Sequence, residues 1–194
     1  MSTFLVTGMG RSGTKFLTNL LNRSPSWTVR HEPGGLADFG RPASAIQARF
    51  SGACKYGEVN SVIRHQAPDL EVDVKAVLLR DPRDVWLSMA NRRDRRDWNA
   101  TLDEYERTAA TLQRLVLAGA FVIDFHAITH RVTAVQDVAA RLGIEDLPRI
   151  PQIAVKRKEN ATGHKRHSLM SEFPHSICAR VDRLVQVLDE LKGR

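Results

Sequence analysis

The segment Gly8-Met9-Gly10-Arg11-Ser12-Gly13-Thr14-Lys15 gathers glycines, hydroxyls and cations where an apolar run gives way to an amphipathic one. At a strand-to-helix junction the backbone N–H groups of such a segment converge on one point, and the helix dipole adds its positive end. The chemistry this spacing suits is therefore the holding of a phosphate or a similar anion. Glycines leave the backbone free to close around the ligand, Thr14 adds a hydroxyl donor, and Arg11 and Lys15 add positive charge. Other reactive types are arranged less tellingly. His126 and His130 have the i, i+4 spacing of helical metal ligands, but the glutamate of an H-E-x-x-H motif is missing, and no metal site is expected. Cys54 and Cys178 are the only cysteines and stand in neither metal nor redox spacing, which fits a reducing, cytoplasmic setting.

A frame must position those residues. Thr3 to Thr7 reads as a strand closed by Gly8, and Thr14 to Leu21 as a helix with Phe16, Leu17, Leu20 and Leu21 on one face. Trp27 to Glu32 predicts a second strand, ended by Pro33 and Gly34-Gly35. Val74 to Leu79 is a nearly continuous apolar run, the pattern of a central parallel strand. Pro82 opens a helix that carries Val85, Trp86 and Met89 inward. Thr101 to Ala118 predicts a longer helix, Ala120 to Phe125 a strand, and Thr129 to Leu142 a helix stopped by Gly143. Between Pro148 and His167 the pattern dissolves into a long loop, of which 156–167 reads as a lid, and Leu184, Val185, Leu188 and Leu191 mark a closing helix. The alternation predicts an α/β domain in three α/β/α layers around a mainly parallel sheet. With no repeat or linker in sight, residues 1–194 form one expected domain.

Composition bounds the partner without choosing it. The chain is 42% hydrophobic and 26% charged, an ordinary globular balance, and its formal net charge of +7 favours an anionic partner. A nucleotide with several phosphates, an acidic polysaccharide and a nucleic acid all fit that description. No basic leader or long apolar stretch follows Met1, so neither secretion nor membrane anchoring is expected. The Asn-x-Ser/Thr triplets at Asn22, Asn99 and Asn160 then read as chance matches.

The glycine-rich segment departs from the Walker A pattern G-x-x-x-x-G-K-[ST] at one place: Thr14 stands where the lysine belongs, and Lys15 follows it. It resembles instead the phosphosulfate loop of the sulfotransferase family, G-x-x-[RK]-S-G-T-[TS]-x-L, through Gly8, Arg11, Ser12, Gly13, Thr14 and Leu17, with Lys15 replacing the usual hydroxyl residue. A second family element, R-x-P-x-x-x-x-x-S, matches Arg80-Asp81-Pro82-Arg83-Asp84-Val85-Trp86-Leu87-Ser88. In the family this arginine and serine hold the nucleotide's 3′-phosphate. Arg80 would end a strand and Ser88 would lie about two turns into the next helix, so both can approach one phosphate if that helix packs beside the first loop. Taken alone, Arg80 and Asp81 read equally well as a surface ion pair. The resemblance extends more faintly to Asp124-Phe125-His126-Ala127-Ile128, and it implies a P-loop NTPase-like fold.

What the resemblance implies is transfer of a sulfuryl group from 3′-phosphoadenosine 5′-phosphosulfate (PAPS) to an acceptor hydroxyl or amine, leaving 3′,5′-adenosine bisphosphate, with no divalent metal. Gly10, Arg11, Ser12, Gly13, Thr14, Lys15, Arg80 and Ser88 would bind the nucleotide. Arg157, in the basic run Lys156-Arg157-Lys158, would join them from the lid. Charge builds on the departing phosphate oxygen, and Arg11 is the cation placed to meet it, with Lys15 as helper. At roughly 4 Å and an effective dielectric near 20, such a pair interacts by about 4 kcal/mol before other costs. The attacking group must also lose a proton. Many carbohydrate sulfotransferases carry an E-P pair here, so Glu32 of His31-Glu32-Pro33 is the first candidate base and His31 the alternate. The simpler reading of Glu32 is an ion pair with Arg11 or Arg30. The acceptor pocket is expected among Arg41 to Arg64, Asn91 to Asn99 and the 156–167 loop, whose basic character favours a sugar or acidic acceptor over a flat phenol.

Two other classes compete. A P-loop nucleotide kinase or NTPase would use Asp124, after Phe121-Val122-Ile123, to organise Mg²⁺, although the misplaced Lys15 argues against it. A nucleic-acid-binding module would use the net charge and Arg92-Arg93-Asp94-Arg95-Arg96-Asp97, a run that alternates in sign and lacks aromatics.

Overall fold

A computed structural model describes residues 2–90, 97–149, 170 and 173–193 of the chain. Its strands are β1 (Thr3–Gly8), β2 (Thr28–His31), β3 (Tyr56–Val59), β4 (Val74–Leu79) and β5 (Phe121–Asp124). The described helices are α1 (Thr14–Leu21), α2 (Ala43–Gln47), α3 (Pro82–Ala90), α4 (Trp98–Leu117), α5 (Phe125–His130), α6 (Val132–Arg141) and α7 (His175–Lys192), with 3₁₀ turns at Gly35–Asp38 and Ala67–Asp69. The strands form one sheet in the order β2-β3-β1-β4-β5, and every pairing is parallel. The sheet expected to be mainly parallel is all parallel.

Alternation along the strands divides the core. Leu5, Val77 and Leu79 face one way and pack with Trp86 of α3, Leu102 and Leu112 of α4, and Leu184 and Leu188 of α7. Phe4, Val6, Ala76, Leu78 and Ile123 face the other way, against Leu17 and Leu21 of α1 and Val135 of α6. Helices therefore cover both faces. All six residues of β1 are buried, which is why its sequence alternates so little.

Three expectations change. The strand β3 is unannounced in the sequence because its middle is Gly57-Glu58, neither of which reads as a strand residue. The helix expected over Thr129 to Leu142 is two helices: the Asp124 carboxylate caps α5 by accepting from the His126 amide at 2.9 Å, and Arg131, at φ −128° and ψ 120°, breaks the run before α6. The long helix begins at Trp98 rather than Thr101, because the Asp97 carboxylate accepts from the amides of Asn99 and Ala100. The lid at 156–167, Arg157 and Arg92 to Arg96 lie outside the described residues. None of the described helices is long and apolar enough to cross a membrane.

Candidate functional site

The strand order fixes where a ligand can sit. The helix after β1 packs on the Phe4 face, while α3 and α4, which follow β4, pack on the Leu5 face. Neighbouring strands whose connections leave to opposite faces open a crevice at their carboxyl ends. Gly8 to Lys15 lies across that crevice.

The loop's conformation explains its residues. Arg11 and Gly13 have positive φ, 71° and 100°, and the Ser12 amide donates to Met9 O at 3.1 Å to close the turn. A Cβ on Gly8 would stand 2.5 Å from Leu78 O, and one on Gly13 2.1 Å from the Phe125 ring. Helix α1 then starts with Gly13 as its N-cap, without a side-chain cap and without an acidic residue in its first turn. Its leading amides are thus open to an anion.

The second motif meets the first. Arg80 Nη1 donates to Arg11 O at 3.2 Å, its Nε is 3.8 Å from Asp84 Oδ2, and its guanidinium lies 5.0 Å from the centre of the Phe125 ring. Arg11 in turn donates through Nε and Nη2 to Ser88 Oγ, at 3.3 and 3.2 Å. Arg11, Arg80 and Ser88, which the sequence separates by up to 77 residues, form one cluster. Ser12 behaves otherwise: its side chain is fully buried under the loop, and its hydroxyl has no hydrogen-bond partner among the described residues.

Across the crevice, β2 ends in His31 and Glu32. His31 Nε2 lies 3.0 Å from Thr14 Oγ1 and 3.9 Å from Glu32 Oε2. Glu32 has φ 44°, a conformation costly to a side-chain-bearing residue, and its Oε1 accepts from Ser61 Oγ at 2.5 Å and from the Ser61 amide at 3.4 Å. Among the described residues the Glu32 carboxylate is thus held by hydrogen bonds from Ser61, with His31 Nε2 nearby. Ser61 lies within the Arg41–Arg64 stretch expected to contribute to the pocket, but it does not stand out in the sequence because it follows β3, a strand without an apolar signature.

A cavity of about 910 Å³ joins these groups. Gly10, Arg11, Gly13, Thr14, Lys15 and Arg80 line one side, His31, Glu32 and Ser61 another, and Leu36, Phe39, Val62, Met89 and Tyr105 add apolar wall. Arg64 also lines it, but its nitrogens are engaged: Nε donates to Thr108 Oγ1 at 2.8 Å, Nη1 to Ser61 O at 2.6 Å, and Nη2 to Glu104 Oε1. His65 Nε2 lies 2.8 Å from the same carboxylate oxygen. Burial pushes the Glu104 carboxyl up, but hydrogen bonds from His65 and Arg64 outweigh it and hold the group below the ordinary glutamate range. Behind the wall, Arg49 donates to the fully buried carboxylates of Glu58, at 2.6 and 3.0 Å, and Asp38, at 3.0 Å, which fixes the segment between β2 and β3.

The remaining candidates do other work. Asp124 is the cap of α5, and His126 and His130 stack with ring centres 3.9 Å apart while His130 Nδ1 lies 2.7 Å from His126 O. A scan of the sequence against protein-family models and a search of curated proteins each return no match to this chain.

Proposed function

We propose that the chain is a sulfotransferase of P-loop type that moves a sulfuryl group from PAPS to an acceptor hydroxyl or amine. The observation that carries this reading is the joining of Arg11 to Ser88 and of Arg80 to Arg11 at the crevice between β1 and β4, where Arg11 and Arg80 line the same cavity as Glu32 while Ser88 stands behind Arg11, outside the lining. Arg80 and Ser88, both bonded to Arg11 of the loop, offer a second pair of donors beside the loop's own, which suits a nucleotide phosphorylated at both its 5′ and 3′ positions. ATP has no use for the second pair, and Asp124 already caps a helix.

In the reaction so read, the acceptor oxygen forms a bond to sulfur as the bond from sulfur to the 5′-phosphate oxygen breaks. The acceptor proton passes to Glu32 Oε2, since Oε1 is occupied by Ser61. The electron pair stays on the departing phosphate, where the α1 amides, Lys15 and Arg11 meet the charge. His31, bonded to Thr14, ties the base side of the cavity to the phosphate side.

The test is calorimetric binding of 3′,5′-adenosine bisphosphate, ATP–Mg²⁺ and a short DNA duplex. The bisphosphate should bind tightest and lose at least about tenfold in affinity on Arg80→Ala, the cost of one charge-assisted contact. Preference for ATP–Mg²⁺ or the duplex, with no effect of Arg80→Ala on the bisphosphate, sinks the reading.

A further inference from the structure

Beside the cavity already described lies a second, of about 570 Å³, and the two share Phe39 and Glu104 as a common wall. Its far side is a stripe of α4, where Arg107, Thr111 and Arg114 follow at helical spacing and so project from one face. Arg107 donates Nη2 to Glu104 Oε2 at 2.9 Å yet keeps its side chain 69% exposed. Arg114 has Thr111 Oγ1 at 3.4 Å as its hydrogen-bond partner among the described residues, and no carboxylate. Among the described residues Glu104 is the one carboxylate lining this cavity, where it bonds to Arg107 and His65 and is outnumbered by the arginines Arg107 and Arg114, so the described lining holds an excess of positive charge. Phe39 stands between the two cavities, 60% exposed and held in a turn by its amide donating to Leu36 O at 3.1 Å. A large exposed apolar ring flanked by underused cations fits a ligand with the complementary pair of features.

We infer that the acceptor reaches from the first cavity, beside the nucleotide, into the second, and is a ring-bodied hydroxy acid. Its hydroxyl reaches Glu32, its ring lies against Phe39, and its anionic group sits between Arg107 and Arg114. The acid can belong to a sugar or to an arene; the shared chemistry is a hydroxyl and an anion at opposite ends of a ring. The inference rests on the sulfotransferase reading for the fate of the hydroxyl alone, because the preference for an acid is a property of Phe39, Arg107 and Arg114.

The test measures binding by ligand-observed NMR titration of the full chain, with and without 3′,5′-adenosine bisphosphate. Two matched pairs serve as probes: methyl glucuronide against methyl glucoside, and 3-(4-hydroxyphenyl)propionate against its amide. In one pair the acid should bind about fivefold tighter than its neutral partner, the scale of two partly exposed ion pairs. Whichever pair shows it identifies the sugar or the arene. An Arg107→Ser, Arg114→Ser double variant should erase the difference while leaving bisphosphate affinity and melting temperature in place, and Phe39→Ala should weaken acid and amide or glucoside alike. Equal affinities within both pairs, or a difference that survives the double variant, overturns the inference. An acid preference in a chain that fails to bind the bisphosphate keeps the subsite and removes the sulfotransferase reading, whereas bisphosphate binding without acid preference does the reverse.

Discussion

Two single residues of the crevice carry backbone conformations that their neighbours must enforce. Gly13 combines φ 100° with a ring where a side chain would go, so Gly13→Ala meets two separate costs: a left-handed backbone and a Cβ 2.1 Å from Phe125. The expected loss is about 2–4 kcal/mol in urea unfolding. Adding Phe125→Ala should recover only the contact part, and a variant within about 1 kcal/mol of the parent would mean that the turn is softer than its geometry implies. Glu32 shows the opposite economy, since a residue with a Cβ is held at φ 44° although glycine would be easier there. Such strain is understandable if the carboxylate itself is needed. Glu32→Gln keeps the shape and removes the proposed base, so on the proposed function sulfuryl transfer should fall by about 10²–10⁴-fold while bisphosphate affinity stays level. Turnover unchanged by Glu32→Gln would pass the role of base to His31.

At the scale of elements, the junction between β2 and β3 decides whether Glu32, Ser61 and Phe39 face the loop at all. Its anchor is Arg49 against the buried Glu58 and Asp38. Removing one partner of such a network strands buried charge, and Arg49→Ala is expected to cost roughly 3 kcal/mol of unfolding free energy. Arg180 makes as many ion contacts on the surface, with Asp103 and Glu106 between α7 and α4, yet its partners are largely solvated. Arg180→Ala should cost less than about 1 kcal/mol. Glu104 of α4 adds a pH dependence. Its folded carboxyl titrates below the ordinary range, so the unfolded chain binds its proton first. The stabilisation is complete above the unfolded value and is lost as pH falls through the folded one. Glu104→Gln should flatten the acid limb of a stability–pH profile measured by denaturant titration, and a limb of unchanged slope would assign it to other carboxylates. These elements also mark what could be read in the sequence. Central strands β1 and β4 announce themselves because burial on both faces demands apolar runs, and the motifs at their ends are as local as the turns that make them. Strand β3 does not, because Gly57 is there to admit the Phe4 ring and Glu58 is there to meet Arg49, both long-range reasons. Phe39 and the contact of Ser61 with Glu32 depend on the same long-range pairing, so the sequence marks Ser61 only as one of the Arg41–Arg64 residues and Phe39 not at all.

Over the whole molecule, on the proposed function, the topology and the net charge act on one event, the arrival of an anion at the crevice between β1 and β4. The two contributions differ in range. A formal charge of +7 would attract the proposed multiply charged nucleotide from well outside contact, and salt screens such attraction over a Debye length of about 30 Å at 0.01 M and under 10 Å above 0.15 M. Arg80 acts only after arrival, because its side chain is 12% exposed and is fixed by Arg11 O, Asp84 and Phe125. The two should therefore separate in stopped-flow binding of a fluorescent 3′,5′-adenosine bisphosphate analogue. Raising salt from about 0.01 to 0.3 M should slow association by about tenfold and leave dissociation within about twofold. Arg80→Ala changes the net charge by one, so it should barely alter association, yet speed dissociation by about tenfold or more as a contact made in the bound state is lost. If salt and Arg80→Ala move the same rate constant, the field of the molecule and the local cluster are not separable, and the charge of the chain serves the contact rather than the approach.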